Sequence, residues 1–178
     1  MRVRTIDYTW GMRSERLTFS RVSPTTIDDL HALVQDDHVR RYLMNGEALP
    51  REWTEERVRD SVNLFARRGV GLWLAHSGAT TDLVGFCGFL EVPSVHSEPQ
   101  LVYAMFERFT GGGLGTEMAR AAIAEARRHQ GFATIIASAD EANVASIRIL
   151  EKLGFKRVGT CPGRLGDVLV MVLDASSA

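Results

Sequence analysis

Apolar and polar positions change period several times along the 178 residues, and each change marks an element. Ser14 to Arg21 alternates around Leu17 and Phe19 and predicts a first strand. Ser23-Pro24 opens a helix, with serine as cap and proline at the first helical position. Ile27, Leu30, Leu33 and Val34 then give that helix one apolar face. A short helix follows over Asp37 to Leu43. A longer one starts at Pro50, with Glu52, Glu55 and Glu56 early, Arg67 and Arg68 late, and Gly69 as its stop.

After Gly69 the period shortens to two. Val70 to His76 predicts a strand, Ser77 to Asp82 a turn, and Leu83 to Leu90 its hairpin partner. Gln100 to Phe106 is the next strand. Leu114, Met118 and Ala122 mark one face of an alanine-rich helix that stops at Gly131. Ala133 to Ala139 predicts a buried strand, Glu141 to Leu153 a helix, and Phe155–Val158 and Val168–Leu173 the last two strands. The expected fold class is α+β, a single domain over 1–178 with its core at about 14–173. Its sheet is mixed, mostly antiparallel, with one strand–helix–strand crossover at 100–139 that should be right-handed.

Composition narrows the function. Lys and Arg number 21 against 22 Asp and Glu, a net charge of −1, so nothing electrostatic favours a nucleic-acid partner. No apolar run is long enough to span a bilayer, and Met1 to Asp7 lacks the apolar core of a secretory signal. The two cysteines, Cys87 and Cys161, have no CxxC spacing; a reducing, cytoplasmic location is expected. His31 and His38 share a helical face without a third ligand in reach, so no metal site is expected.

The chemistry concentrates in residues 110–155. Thr110-Gly111-Gly112-Gly113-Leu114-Gly115-Thr116 follows a strand and opens a helix, which presents bare backbone amides to a phosphate. A P-loop would need a Gly-Lys pair, and the chain has none. A Rossmann frame fails as well: counting from Gly111 the sixth position is Thr116, and from Gly113 it is Met118. The second landmark runs from Asn143 to Phe155, Asn-Val-Ala-Ser-Ile-Arg-Ile-Leu-Glu-Lys-Leu-Gly-Phe. It is a capped helix that ends at a glycine.

With both landmarks in view the chain resembles the GNAT acetyltransferase superfamily, in particular the branch of the ribosomal-protein N-terminal alanine acetyltransferases. Glu15-Arg16-Leu17, Val39 to Leu43 and Val84 to Phe89 support the resemblance. It implies a GNAT acyl-CoA fold of about six or seven strands flanked by helices and splayed at its parallel pair. It also implies an N-acetyltransferase that takes acetyl-CoA as co-substrate and a primary amine as acceptor. The amides of Gly111, Gly112, Gly113, Leu114, Gly115 and Thr116 would hold the pyrophosphate. Leu101, Val102 and Tyr103 would lie along the pantetheine arm, with Asn143 and Ser146 at its reactive end.

Two departures from the family pattern stand out. Thr110 occupies the place of a glutamine or arginine that contacts phosphate. Leu150 replaces a tyrosine that protonates the departing thiolate in many members, leaving Ser146, on the same helical face, as the expected donor. The surplus glycine predicts a loose loop that orders on binding. Glu91 and Glu98 are candidate bases, and direct attack with water carrying off the proton is equally open. Asn45, Glu47 and Tyr103 are candidate acceptor contacts. The acceptor is a peptide or a small-molecule amine, and the protein is expected as a monomer or homodimer. The alternatives are a CoA-binding sensor without turnover and a Rossmann-type nucleotide-binding protein.

Overall fold

The computed structural model describes residues 12–43, 46–129, 132–163 and 166–174. Seven strands form one sheet: β1 Leu17–Arg21, β2 Leu72–Ser77, β3 Leu83–Leu90, β4 Gln100–Met105, β5 Thr134–Asp140, β6 Lys156–Pro162 and β7 Asp167–Asp174. The spatial order is β1-β2-β3-β4-β5-β7-β6. Every neighbouring pair is antiparallel except β4 and β5. Among the described residues there are five α-helices: α1 Ile27–Gln35, α2 Asp37–Leu43, α3 Arg51–Arg68, α4 Leu114–Arg128 and α5 Val144–Lys152.

β4 shows how alternation builds the two layers. Leu101, Tyr103 and Met105 pack into the cluster that contains Met118 and Ala122 of α4 and Ile147 and Leu150 of α5. Val102 and Ala104 face the cluster made by Leu30, Leu33 and Val34 of α1, Val39 of α2 and Val58 of α3. α3 bridges both clusters, because Leu64 and Phe65 join the first. The Phe65 ring meets the Trp73 ring edge-on at 4.7 Å.

Element ends follow local chemistry. Ser23-Pro24 leads into a 3-10 turn over Pro24–Thr26 before α1, tied by the Ser23 N–H to Thr26 Oγ1 at 3.0 Å. α3 ends where Gly69 turns left-handed, with φ 73°, and gives its N–H to the Phe65 carbonyl. The helix expected from Glu141 begins at Val144, because Asn143 is its cap. The strand expected over Phe155–Val158 runs on to Pro162. It lies at the sheet margin with both faces largely exposed, so its sequence carries no alternation to read. Its register shifts between Arg157 and Gly159, leaving Val158 in a bulge. Among the described residues, no helix is long and apolar enough to cross a membrane.

Candidate active site

The sheet parts at its parallel pair. β4 registers with β3 along its whole length, from Met105 opposite Gly85 to Gln100 opposite Leu90. On the other side β4 meets β5 at only two positions, Gln100 opposite Ile136 and Leu101 opposite Ala137. β5 pairs with β7 along its whole length, at seven positions. From Val102 to Met105, one backbone edge of β4 therefore has no strand beside it among the described residues. The closed end of this gap is pinned by Gln100, which is 1% exposed. Its Oε1 accepts from the Ser138 hydroxyl at 2.8 Å, and its Nε2 donates to the Val92 carbonyl at 3.4 Å. A buried amide opening an apolar strand was the sequence signal for this pin, and it was missed.

The glycine loop lies at the open end. Gly111 and Gly113 have φ of 80° and 81°, the left-handed region that favours glycine, whereas Gly112 does not. Gly113 caps α4, and the first helical bond runs from the Glu117 N–H to the Gly113 carbonyl. The helix thus has no partner for the amides of Leu114, Gly115 and Thr116. Gly115 answers a different need. A Cβ there would stand 2.9 Å from Met105 Cε and 3.1 Å from Ile149 Cδ1, so its bareness lets α4 approach β4 and α5. The Thr110 hydroxyl donates to the Glu107 carbonyl at 2.8 Å, an internal turn contact.

Arg16, the residue before β1, braces this loop from behind. The Arg16 N–H donates to Glu117 Oε1 at 2.7 Å, and its Nε to Oε2 at 2.8 Å. Arg16 Nη1 donates to the Gly112 carbonyl at 2.8 Å. Burial pushes the Glu117 carboxyl up. Hydrogen bonds from the Ser14 hydroxyl and from the Arg16 amide and guanidinium outweigh it, so the group titrates below its ordinary value. Arg16 belongs to the local Glu15-Arg16-Leu17 motif, but its partners lie 101 and 96 residues away. No spacing rule reaches that far.

Across the gap, α5 contributes the second landmark. The Asn143 side chain accepts the Ser146 N–H at 3.1 Å, which fixes the first turn. The Ser146 hydroxyl donates to the Tyr103 oxygen at 3.0 Å, and the Tyr103 hydroxyl donates to the Ser146 carbonyl at 3.2 Å. The two predicted residues therefore meet and form a closed pair that joins β4 to α5. Burial pushes the Tyr103 phenol up to about 12, against a smaller opposing effect of the Ser146 hydrogen bond. Leu150 is 1% exposed in the main core, a site where a phenol would need a polar partner.

The opposite face of the sheet carries a cavity of about 400 Å³ whose wall includes Val102 of β4. Leu30, Trp53, Phe86 and Leu90 give it an apolar lining, with Arg57 and Glu91 as charged groups. Glu91 is ion-paired with Arg67 at 2.9 Å. Glu98 pairs with Arg68 at 2.8 Å and gives its N–H to His96 Nδ1, and it does not line the cavity. Glu47 is exposed between α2 and α3, and Asn45 lies outside the described residues.

A parted parallel pair, with a glycine-capped helix after one strand and an Asn-capped helix after the other, matches a known domain. The model of the Acetyltransferase (GNAT) domain matches residues 16–156. The chain belongs to the GNAT acetyltransferase family. It is 31% identical over 125 residues to the uncharacterized protein YkkB of Bacillus subtilis, spanning 68% of this chain and 70% of that protein. Solved GNAT structures share its fold. One is a Salmonella typhimurium acetyltransferase that modifies the N-terminal serine of ribosomal protein L7/L12 (18% identity, 90% of this chain and 96% of that one, TM-score 0.72). Another is YncA of the same organism, solved with acetyl-CoA (19% identity, 92% and 96%, TM-score 0.71). The fold expected from the sequence is the one observed.

Proposed function

We propose that this GNAT protein transfers the acetyl group of acetyl-CoA to a primary amine by direct attack in a ternary complex. The observation that carries the reading is the unpaired edge of β4 from Val102 to Met105, lying between a helix N-terminus and the Tyr103–Ser146 pair. Extended pantetheine has the amide groups to add to such an edge as an extra strand would. The amides that open α4 suit a pyrophosphate, and its dipole adds to their attraction. Arg16 keeps the Glu117 carboxylate from opposing that charge.

The reaction needs little from side chains. The neutral amine nitrogen attacks the thioester carbonyl carbon, the C–N bond forms, and the C–S bond breaks. A backbone N–H of β4 stabilises charge on the carbonyl oxygen. The Ser146 hydroxyl protonates the departing sulfur, and recovers its proton from solvent. To do so it rotates away from Tyr103, whose own hydroxyl goes on donating to the Ser146 carbonyl. Glu91, on the cavity wall, or water takes the proton lost by nitrogen. Glu98 has the weaker claim, since the cavity does not include it. The free thiols Cys87 and Cys161 suit the cytoplasm.

The test is free-thiol release from acetyl-CoA over an amine panel, with thermal shift by CoA and by NAD measured alongside. CoA should raise the melting temperature and NAD should not. A shift from NAD alone would overturn the reading. CoA binding without thiol release on any amine would point to a sensor instead.

A further inference from the structure

The side chains around the glycine loop leave a diphosphate short of positive charge. Gly111, Gly112 and Gly113 offer none, and the Thr110 hydroxyl is spent on the Glu107 carbonyl at 2.8 Å. Arg16 is committed to the Glu117 carboxylate and the Gly112 carbonyl, so that pair adds no net charge. The amides that open α4 contribute only a partial charge.

Arg108 stands just before the same loop and is uncommitted. It is the middle residue of a 3-10 turn over Glu107–Phe109, which the Thr110 N–H closes onto the Glu107 carbonyl at 2.9 Å. Its guanidinium carbon lies 4.5 Å from the Phe106 ring centre and 4.8 Å from that of Phe109. Both rings are half-buried, Phe106 against the cluster on the α1 side of the sheet and Phe109 against the cluster on the α4 side. They hold an exposed cation past the end of β4, where the two layers meet. Ring contact engages the face of a guanidinium and leaves its in-plane N–H groups, the ones that match the edge of a phosphate. Among the described residues Arg108 has no ion pair and donates no hydrogen bond. A long side chain held in place beforehand loses less freedom when it binds.

We infer that Arg108 is a binding residue for the diphosphate of the cofactor. Its N–H groups donate to phosphate oxygens seated on the α4 amides, and the Phe106 and Phe109 rings hold it ready to do so. The inference rests on the acetyl-CoA reading of the site, and the two fail in different ways.

Isothermal titration of the whole protein with CoA, dephospho-CoA and pantetheine reads the contact without turnover. Dephospho-CoA keeps the diphosphate and lacks the 3′-phosphate, and pantetheine has neither. Arg108→Met should weaken CoA and dephospho-CoA alike, by about tenfold, and leave pantetheine unchanged. Arg108→Lys, a point charge without the fork, should recover part of the loss. Phe109→Leu should weaken CoA on its own yet add little to Arg108→Met, since it acts through the cation. Arg120→Met is the control for overall charge: Arg120 is exposed on α4, about 9 Å along the axis from its first residue, and its loss should change CoA affinity little. Because Arg108 is exposed, Arg108→Met should shift the ligand-free melting temperature by no more than about 2 °C. Equal losses from Arg108→Met and Arg120→Met would overturn the inference, as would a loss confined to CoA, which would move Arg108 to the 3′-phosphate. CoA affinity unchanged by Arg108→Met would also overturn it, and would leave the acetyltransferase reading standing. No binding of CoA by the unaltered protein would sink the reading on which the inference rests.

Discussion

The three consecutive glycines of the α4 loop should respond differently to the same added methyl. Gly112 has ordinary backbone angles, and a Cβ there meets nothing within 4 Å. Gly112→Ala therefore costs the folded state nothing and removes freedom from the unfolded chain, worth about 0.4–1 kcal/mol. For a chain of this length that is a rise of roughly 1–4 °C in melting temperature. Gly113 is equally uncrowded, with Arg16 Nη2 at an ordinary 3.6 Å, but its φ of 81° is strained for alanine. That strain costs about 1–2 kcal/mol, against the same entropy gain, so Gly113→Ala should lose roughly 1 kcal/mol and a few degrees. Gly111→Ala should follow Gly113. The space that Gly112 leaves open is where a pyrophosphate would sit, so CoA affinity should fall several-fold even as stability rises. Differential scanning fluorimetry with and without CoA measures both effects. Gly112→Ala and Gly113→Ala shifting the melting temperature in the same direction by the same amount would refute the assignment.

Four other outcomes follow from contacts described above. Arg16→Met removes one ion pair and one loop anchor; because Arg16 is half-exposed, it should cost the fold only about 1 kcal/mol, yet weaken CoA by several-fold in titration calorimetry, with Glu117→Gln in the same chain restoring part of the loss. Ser146→Ala should lower kcat by about tenfold or more with little change in CoA affinity, whereas Tyr103→Phe keeps the ring packing and should act mainly by loosening Ser146; an unchanged rate for Ser146→Ala would dismiss it as proton donor. In alkali, both Tyr103 and Cys87 are held protonated by burial in the folded state. Their contribution is whole below the ordinary values of 10.0 and 9.0 and is lost above them. Urea unfolding should show stability falling by about 1.4 kcal/mol per pH unit from Tyr103 between roughly pH 10 and 12, a slope that Tyr103→Phe removes. Gly85→Ala should fail to fold at ordinary temperature, since its Cβ would lie 2.2 Å from the Ala104 carbonyl oxygen; a soluble variant of normal stability would contradict the tight β3–β4 register.

What could be read from the chain was whatever depends on near neighbours. The cap at Asn143, the stop at Gly69 and the hairpin of β2 and β3 each rest on residues within a few positions of one another, and each appears in place. The glycine loop was legible for the same reason, although the sequence could not tell Gly112, which adopts ordinary angles, from its neighbours. The missing parts are long-range. Arg16 braces a loop nearly a hundred residues on, and Gln100 meets Ser138 across the parallel pair. The Tyr103–Ser146 contact spans 43 residues and depends on the two strands parting where they do. The cavity needs α1, α3 and the β3–β4 loop in place before Arg57 and Val102 share a wall. The margin strand β6 was cut short because exposure on both faces erases the alternation that marks a strand.

Free backbone edges usually sit at the margins of a sheet, where they invite a second chain to add itself. The outer margin at β6 is guarded: Lys156 and Arg157 charge it, the bulge at Val158 twists it, and Pro162 removes a donor. A further free edge, along Val102 to Met105, is an interior one, with β3 on one side and β5 diverging on the other. Any chain that added to this edge would have to do so inside the sheet, flanked by β3 and β5, and not at its rim.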